Sequence, residues 1–190
     1  MAYTNAEEVE LFLNGRSLGL KKMGDPHVIP VGERISKDQR FTTKYRTVWD
    51  VPYAPGELRA VAYAGGRRVR EAAVRTAGPA ARLALVPDRV DIRADGEDLS
   101  FVTVRIEDAQ GTLVPDAAHL VRFELSGPGR IAAVDNGNPA SLEPFQGSER
   151  HAFGGMALLV VRSNRGQPGV VHVRAVSDGL RAAEARVAAR

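Results

Sequence analysis

The chain has 190 residues, of which 44% are hydrophobic and 26% charged, and its formal net charge is +3. A chain of this size and apolar content can form one or two packed domains. No run approaches the ~20 consecutive apolar residues that span a bilayer, and the start, MAYTNAEEVE, lacks the basic and apolar regions of a signal peptide. We therefore expect no association with a membrane.

Cysteine is absent, which excludes disulfides, a thiolate nucleophile and cysteine-based metal sites. The positive charge is confined to residues 1–78, which carry 13 Lys and Arg against 9 Asp and Glu, whereas residues 79–190 carry 13 against 14. Acidic residues and prolines separate the basic residues of the first part, unlike the continuous basic stripe of a nucleic-acid-binding surface. We expect no nucleic-acid partner.

The first 78 residues carry the pattern of a small β-sheet domain. Hydrophobic residues alternate with polar ones from Glu8 to Leu13, and Asn14-Gly15 is the favoured pair for a two-residue hairpin turn. Residues 21–40 are rich in glycine and proline and are predicted to form a long loop. Strand signals then resume in TTKYRTVWDV and in ELRAVAYAGGRRVREAAV, which has a turn at Gly65-Gly66.

A stretch of small residues, TAGPAA at 76–81, predicts a boundary between domains 1–78 and 79–190. Seven short strands separated by turns are typical of an immunoglobulin-like sandwich, and only 115–120 and the alanine-rich C-terminus have helical character. The predicted fold is all-β, with two tandem immunoglobulin-like β-sandwich domains. The strands predicted in the second domain are 82–86, 100–107, 119–126, 129–134, 156–163, 169–177 and 180–187.

The longest polar turn, DNGNPASLEPFQGSER at 135–150, contains the candidate functional residues. Glu143 and Glu149 are the one pair of acids in surroundings that resemble a cleft, but a mobile loop holds a catalytic carboxylate pair poorly, so we expect solvated side chains. Asp135, Asn136 and Asn138 supply oxygen ligands for a hard cation. With one carboxylate among the three, hydrogen bonds that cap a turn are the favoured interpretation.

The remaining chemistry-bearing residues form no recognisable motif. No two histidines have the spacing of zinc ligands, and no Ser-His-Asp triad can be assembled from the sequence. We expect no catalytic residue, metal or cofactor. Trp49 is expected in a core or as an anchor between the domains, with its indole N–H bonded. Phe101 and Phe123 are expected in the core of the second domain, and Phe145 and Phe153 are expected to pin the ends of the polar turn.

Four segments together resemble a known family. They are VELFLNGRSLG, VWDVPYAPGELRAVAY, the run from Asp95 to Pro139, and ERHAFGGMALLVVRS. They resemble the C-terminal region of bacterial β-galactosidases of glycoside hydrolase family 2, over nearly the whole chain. The resemblance implies two accessory β-sandwich modules, the first without its initial strand. The catalytic glutamates of that family lie in a (β/α)₈ barrel whose motifs are absent here, so no catalytic residue is carried over.

The expected function is therefore that of a non-catalytic scaffold, with the catalytic barrel of its own enzyme or another subunit as its partner. A carbohydrate-binding or adhesion module, with weak affinity for carbohydrate, is the alternative, and exposed Trp49 or tyrosines in a groove would favour it. A hydrolase that uses Glu143 and Glu149 ranks last. A signal peptide on the parent enzyme would place the chain in the periplasm or outside the cell; otherwise its compartment stays open.

In the scaffold interpretation, the polar turn docks against another module or contacts a ligand. We expect its polar residues to fix its shape, with Arg150 pairing with Glu143 or Glu149. The residues assigned to this role are Asp135, Asn136, Asn138, Glu143, Glu149 and Arg150.

Overall fold

The structure is a computed structural model, which describes residues 1–27, 41–42 and 45–190. All regular elements of these residues are β-strands, which confirms the all-β class, and none of them forms a helix able to cross a membrane. Residues 28–40 of the predicted loop, and Thr43 and Lys44 of the strand predicted after it, lie outside the described residues. The chain divides into two compact units, Met1–Thr76 and Ala77–Arg190.

The first unit is built on a four-stranded antiparallel sheet with the order β3-β2-β7-β8, accompanied by the strand pairs β1-β6 and β4-β5. Its strands are β1 Ala2–Tyr3, β2 Glu8–Leu13, β3 Arg16–Lys22, β4 Pro26–His27, β5 Phe41–Thr42, β6 Arg46–Thr47, β7 Glu57–Ala64 and β8 Arg67–Arg75.

Two tight hairpins of this sheet form where the sequence predicts them. Asn14 and Gly15 join β2 to β3 with φ values of 51° and 81°. Gly65 and Gly66 join β7 to β8 with φ values of 55° and 72°. Two successive residues at positive φ give the turn a twist that matches that of the flanking strands, which explains the choice of Asn-Gly and Gly-Gly.

Trp49 lies in the small core of the first unit, as expected. It packs in one cluster with Val9, Leu11 and other buried side chains. The indole Nε1 donates a 3.3 Å hydrogen bond to the carbonyl oxygen of Gly19, and the Lys21 ammonium lies 5.4 Å from the ring centroid. The polar edge of the indole is thus satisfied while its rings are buried.

The second unit consists of two sheets. One has the order β10-β17-β16-β12-β14 and the other the order β13-β15-β11-β9. All strand pairs in them are antiparallel except β10 with β17. The strands are β9 Arg82–Pro87, β10 Asp91–Ile92, β11 Leu99–Glu107, β12 Leu120–Ser126, β13 Gly129–Asp135, β14 Glu149–His151, β15 Met156–Ser163, β16 Gly169–Val176 and β17 Ala183–Ala189.

The two sheets share one hydrophobic core, which makes this unit a β-sandwich. Val102 and Val104 of β11 face Val171 and Val173 of β16 within a single buried cluster. Alternate residues of each strand enter the core, as the period-two pattern predicts. Phe123 lies there as expected.

Phe101 is not a core residue, contrary to expectation. It is 41% exposed, because Ser100, Val102, Val104 and Ile106 of β11 all face inward and direct the odd-numbered residues of the strand outward.

The strand predicted at 180–187 is present as β17, so the alanine-rich C-terminus is not helical, and 115–120 contains no helix. The alanine-rich C-terminal segment forms strand β17, which pairs with β16 from Ala183 to Ala189. Backbone pairing and the burial of Val187 override the intrinsic helical preference of alanine.

Candidate functional site

The polar turn joins the edge strands of the two sheets, since β13 ends at Asp135 and β14 begins at Glu149. We call residues 136–148 the Arg150 loop, after the residue on which it is built. Strand β14 was not foreseen in the sequence. It pairs with β12 over only three residues, so its alternation is too short to stand out beside the polar residues that precede it.

Arg150 is buried beneath this loop, with 1% of its side chain exposed. Its Nη1 donates a 2.7 Å hydrogen bond to the carbonyl oxygen of Glu143. Its Nη2 donates a 3.2 Å bond to Asn136 Oδ1 and lies 3.5 Å from Asp135 Oδ1. The guanidinium also lies 5.3 Å from the centroid of the Phe145 ring. One planar cation therefore holds both ends of the loop together.

Asparagine and aspartate side chains cap successive turns at the start of the loop. Asp135 Oδ1 accepts hydrogen bonds from the backbone N–H groups of Asn136 at 2.7 Å and Gly137 at 3.2 Å. Asn136 Oδ1 accepts one from Asn138 N, and Asn138 Oδ1 accepts one from Ala140 N, both at 3.0 Å. These oxygen atoms are occupied by backbone donors, the arrangement expected of turn capping rather than cation binding.

The end of the loop is held by Glu143 and His151. Glu143 Oε1 lies 2.7 Å from His151 Nδ1, and Glu143 Oε2 lies 3.7 Å from Arg150 Nε. The hydrogen bond from His151 lowers the pKa of Glu143, and the backbone N–H of His151 and the hydroxyl of Ser141 act in the same direction. A general acid in glycoside hydrolysis needs a raised pKa, so this shift is opposite to the one that a general-acid role of Glu143 would require.

Glu149 does not pair with Arg150. Because side chains alternate along β14, Glu149 faces outward and Arg150 inward. Glu149 Oε2 lies 3.4 Å from Arg122 Nε on the outer side of the same sheet. The expected pair of Arg150 with Glu143 is present, and the alternative pair with Glu149 is wrong. Among the described residues, no group of three or more His, Asp or Glu side chains is arranged to hold a metal ion.

The Arg150 loop exposes apolar side chains despite its polar sequence. Leu142 is 100% exposed, and Phe145 is exposed although its ring contacts Arg150. The carbonyl oxygen of Phe145 accepts a 2.8 Å hydrogen bond from Val134 N, so this residue fixes the loop to β13 through its backbone. The loop thus has a shape fixed by hydrogen bonds and exposes apolar side chains to solvent.

A second apolar surface lies on the outer side of the four-stranded sheet. Phe101 of β11 lies directly opposite Val160 of β15, and Thr103 lies opposite both Leu158 and Val86. Residues that are paired in this way project from the same side of the sheet. We call Val86, Phe101, Met156, Leu158 and Val160 the apolar face. The alternation of β11 in the sequence contains the signal for it, once Val102, Val104 and Ile106 are recognised as the inward set.

The outer side of the five-stranded sheet is rich in ion pairs. Arg174 donates a 2.7 Å hydrogen bond to Glu124, and Arg122 pairs with both Glu149 and Asp178. The outer side of the four-stranded sheet also carries ion pairs, of Arg82 and Arg105 with Glu107, but it differs in the exposed apolar side chains of Val86, Phe101 and Met156.

Two family models match the chain. Residues 83–186 match glycoside hydrolase family 2 C-terminal domain 5, and residues 1–70 match a domain of unknown function, DUF4982. The β-galactosidase BoGH2A of Bacteroides ovatus is 42% identical over 187 residues, which are 98% of this chain and 20% of the relative.

Solved structures agree with these matches. A glycosyl hydrolase family 2 member from Bacteroides cellulosilyticus superposes with a TM-score of 0.83 at 37% identity, covering 99% of this chain and 22% of that one. A β-glycosidase from Bacteroides vulgatus superposes with a TM-score of 0.81 at 25% identity, covering 97% and 21%. The chain thus spans about a fifth of these relatives. With the resemblance of the sequence confirmed by the model that matches residues 83–186, the chain belongs to glycoside hydrolase family 2, as part of its C-terminal region.

Proposed function

We propose that the chain is a non-catalytic accessory region of a glycoside hydrolase, and that its second unit binds another part of the same enzyme through the apolar face. The observation that carries this proposal is the group of exposed apolar side chains on the outer side of the four-stranded sheet. Val86, Phe101 and Met156 are exposed there, beside the ion pairs of Arg82 and Arg105 with Glu107.

The length of the relatives indicates which partner covers the apolar face. Because the chain spans about a fifth of glycosidases such as the one from Bacteroides ovatus, the rest of such an enzyme is the nearest partner available to it. Burying apolar surface against that partner would contribute about 25 cal/mol per Å². The alternative surface, the outer side of the five-stranded sheet, would first lose the solvation of its ion pairs.

The Arg150 loop is assigned to the rim of the same contact. Leu142 and Phe145 are exposed at a loop whose shape is held by the buried Arg150. Rigid presentation reduces the entropy lost on binding, which favours such a loop as a docking element. The docking role extends to Asp135, Asn136, Asn138 and Glu143, which hold the shape of the loop, and to Glu149 at its end.

The proposal includes the division of the chain into two domains, 1–78 and 79–190, of which the second is immunoglobulin-like. Support comes from the two compact units, whose division falls at Thr76 and Ala77, and from the separate family models that match 1–70 and 83–186.

The test compares hydrogen exchange of the isolated 190-residue chain with that of the same residues within the complete glycosidase. We expect additional protection in β11 and β15 of the complete enzyme, and a decrease in that protection when Phe101 is replaced by Lys. Equal exchange of both strands in the two contexts would reject docking through this face. A chromogenic β-galactoside assay of the isolated chain, expected to show no turnover, tests the non-catalytic part of the proposal separately.

A carbohydrate-binding role is the second candidate, and exposed tyrosines of the first unit favour it. Tyr53 is 83% exposed, and Tyr3 and Tyr45 are also exposed. Flat aromatic faces of this kind stack on sugar rings. Trp49, by contrast, is buried in the core and is not available for stacking. Calorimetric titration with galactosides tests this role. Saturable binding that is lost in Tyr53→Ala would support it, and absence of saturable binding would reject it.

A further inference from the structure

Two arginines lie side by side at the outer edge of the four-stranded sheet. Arg130 of β13 and Arg162 of β15 are direct partners in the antiparallel register. A β-bulge follows immediately, between Ile131 and Ala133, and shifts the register of the strand. Like charges placed directly opposite each other destabilise a sheet unless something neutralises them.

Nothing in the described part of the chain neutralises this pair. Neither arginine forms an ion pair with a described carboxylate, whereas Arg82, Arg122 and Arg174 of the same unit each do. Arg130 donates only a 3.4 Å hydrogen bond, to Asn164 Oδ1. The Nε atom of Arg162 is buried and has no hydrogen-bond partner among the described residues. A buried donor without a partner has an energetic cost that a bound acceptor would remove.

The two arginines line a pocket of about 360 Å³. Its other lining residues are Ile131 and Ala132 at the bulge, and Gln146 and Gly147 at the end of the Arg150 loop. None of the six carries a negative charge. The side-chain amide of Gln146 and a short apolar wall accompany the two guanidinium groups, so the pocket combines hydrogen-bond donors with space for a small organic ligand.

We propose that this pocket binds a carboxylate group, carried by a small ligand of the size of a sugar acid. A guanidinium presents paired N–H donors in a plane that matches the two oxygen atoms of a carboxylate, and such charge-assisted bonds are stronger than neutral ones. A carboxylate between Arg130 and Arg162 would neutralise the cross-strand repulsion and provide an acceptor for Arg162 Nε. The proposal goes beyond the docking function: its two arginines are not part of the apolar face, although Gln146 and Gly147 of the pocket belong to the Arg150 loop.

Calorimetric titration of the full 190-residue chain with sodium glucuronate tests this site, at constant ionic strength. Glucose serves as the probe without a carboxylate, and acetate as the carboxylate without a sugar ring. The variants are Arg130→Gln and Arg162→Gln, and the matched control is Arg186→Gln, which removes the same charge from the five-stranded sheet. Arg130 is exposed, so its variant keeps the test valid if the Arg162 variant fails to fold.

We expect saturable binding of glucuronate, no binding of glucose, and about tenfold or greater weakening in each pocket variant, as for the loss of a hydrogen bond to a charged group. The Arg186 variant should bind as the parent chain does. Acetate binding as tightly as glucuronate would support a site for the carboxylate alone, and weaker acetate binding would support recognition of the sugar acid. Absence of saturable binding by both carboxylates, or equal binding in Arg130→Gln and the parent chain, would overturn the proposal.

Discussion

Arg150 Nη1 donates its 2.7 Å hydrogen bond to the carbonyl oxygen of Glu143, seven residues earlier and in the middle of the loop. Replacement of Arg150 by Met should lower the free energy of unfolding by about 3 kcal/mol, the low end of the range for breaking a buried ion pair. The low end applies because Asp135 and Glu143 keep 40% and 33% of their side-chain exposure and can be solvated. Urea unfolding measures the change.

Arg174→Met is the matched control for Arg150→Met. Arg174 also pairs with a glutamate, Glu124, but both side chains are exposed. Its replacement should cost less than about 1 kcal/mol. Equal losses in the two variants would contradict the special role of the buried arginine.

Asp135→Ala should loosen the start of the Arg150 loop without unfolding the sandwich. It removes the acceptor of the Asn136 and Gly137 backbone N–H groups and an ion-pair partner of Arg150. The loss of a capping side chain of this kind costs about 1 kcal/mol. We expect faster hydrogen exchange at residues 136–138, with β12 and β16 unchanged. Asp178→Ala, which removes an aspartate that is 95% exposed, is the control and should leave the exchange of the loop unaltered.

Acid should destabilise the second unit through carboxylates with a lowered pKa. Backbone N–H groups of Gly78 and Thr112 hold the pKa of Asp108 below its usual value of 3.8, with Gln110 acting in the same direction. Hydrogen bonds with His151 lower the pKa of Glu143 from 4.5. A carboxylate whose pKa is lower when folded stabilises the fold above the pKa of the unfolded state, and this contribution is lost as the pH falls through the folded value.

The urea midpoint should therefore fall as the pH decreases below about 4.5, the usual pKa of Glu143. Asp108→Asn should reduce stability at neutral pH and flatten this dependence, because the amide does not titrate. Asp116→Asn, at an exposed aspartate, serves as the control and should retain the pH dependence of the parent chain. An unchanged pH profile in Asp108→Asn would show that the Asp108 carboxylate does not contribute to the loss of stability in acid.

Replacement of Gly56 tests how the backbone next to Asn14 stabilises the β2–β3 hairpin. Its φ is 129°, and a Cβ there would overlap the side-chain amide of Asn14. That amide accepts a 2.8 Å hydrogen bond from Glu57 N and donates a 3.0 Å bond to Pro55 O. Gly56→Ala should cost about 2–3 kcal/mol, from backbone strain and the lost bonds. Gly66→Ala has positive φ but open space around it, and should cost about 1 kcal/mol by thermal unfolding. Similar losses of stability in Gly56→Ala and Gly66→Ala would exclude the overlap with Asn14 as a cause.

Periodicity and turn chemistry were enough to predict the long strands and the hairpins, because they depend on neighbouring residues, but not the short strands β10 and β14. The Asn14-Gly15 turn follows from such local rules. The site was harder to predict, because the partners of Arg150 depend on which side of β14 it occupies. That strand has only three residues, so its register is set by pairing with β12 and cannot be seen in a short polar run. Phe101 shows the same limit: its hydrophobicity indicates burial, but its neighbours determine the side from which it projects.

Phe101 and Phe123 provide the sharpest test of the two surfaces of the second unit. Phe123 is buried in the core and Phe101 is exposed on the apolar face. Phe123→Ala should cost about 3–5 kcal/mol in the isolated chain, as for other buried phenylalanines. Phe101→Ala should change the free energy of unfolding there by less than about 1 kcal/mol, since its ring keeps much of its contact with water. If that face binds another part of the enzyme, Phe101→Ala should destabilise the complete enzyme more than the isolated chain. An equal effect in both contexts would leave the apolar face without a partner.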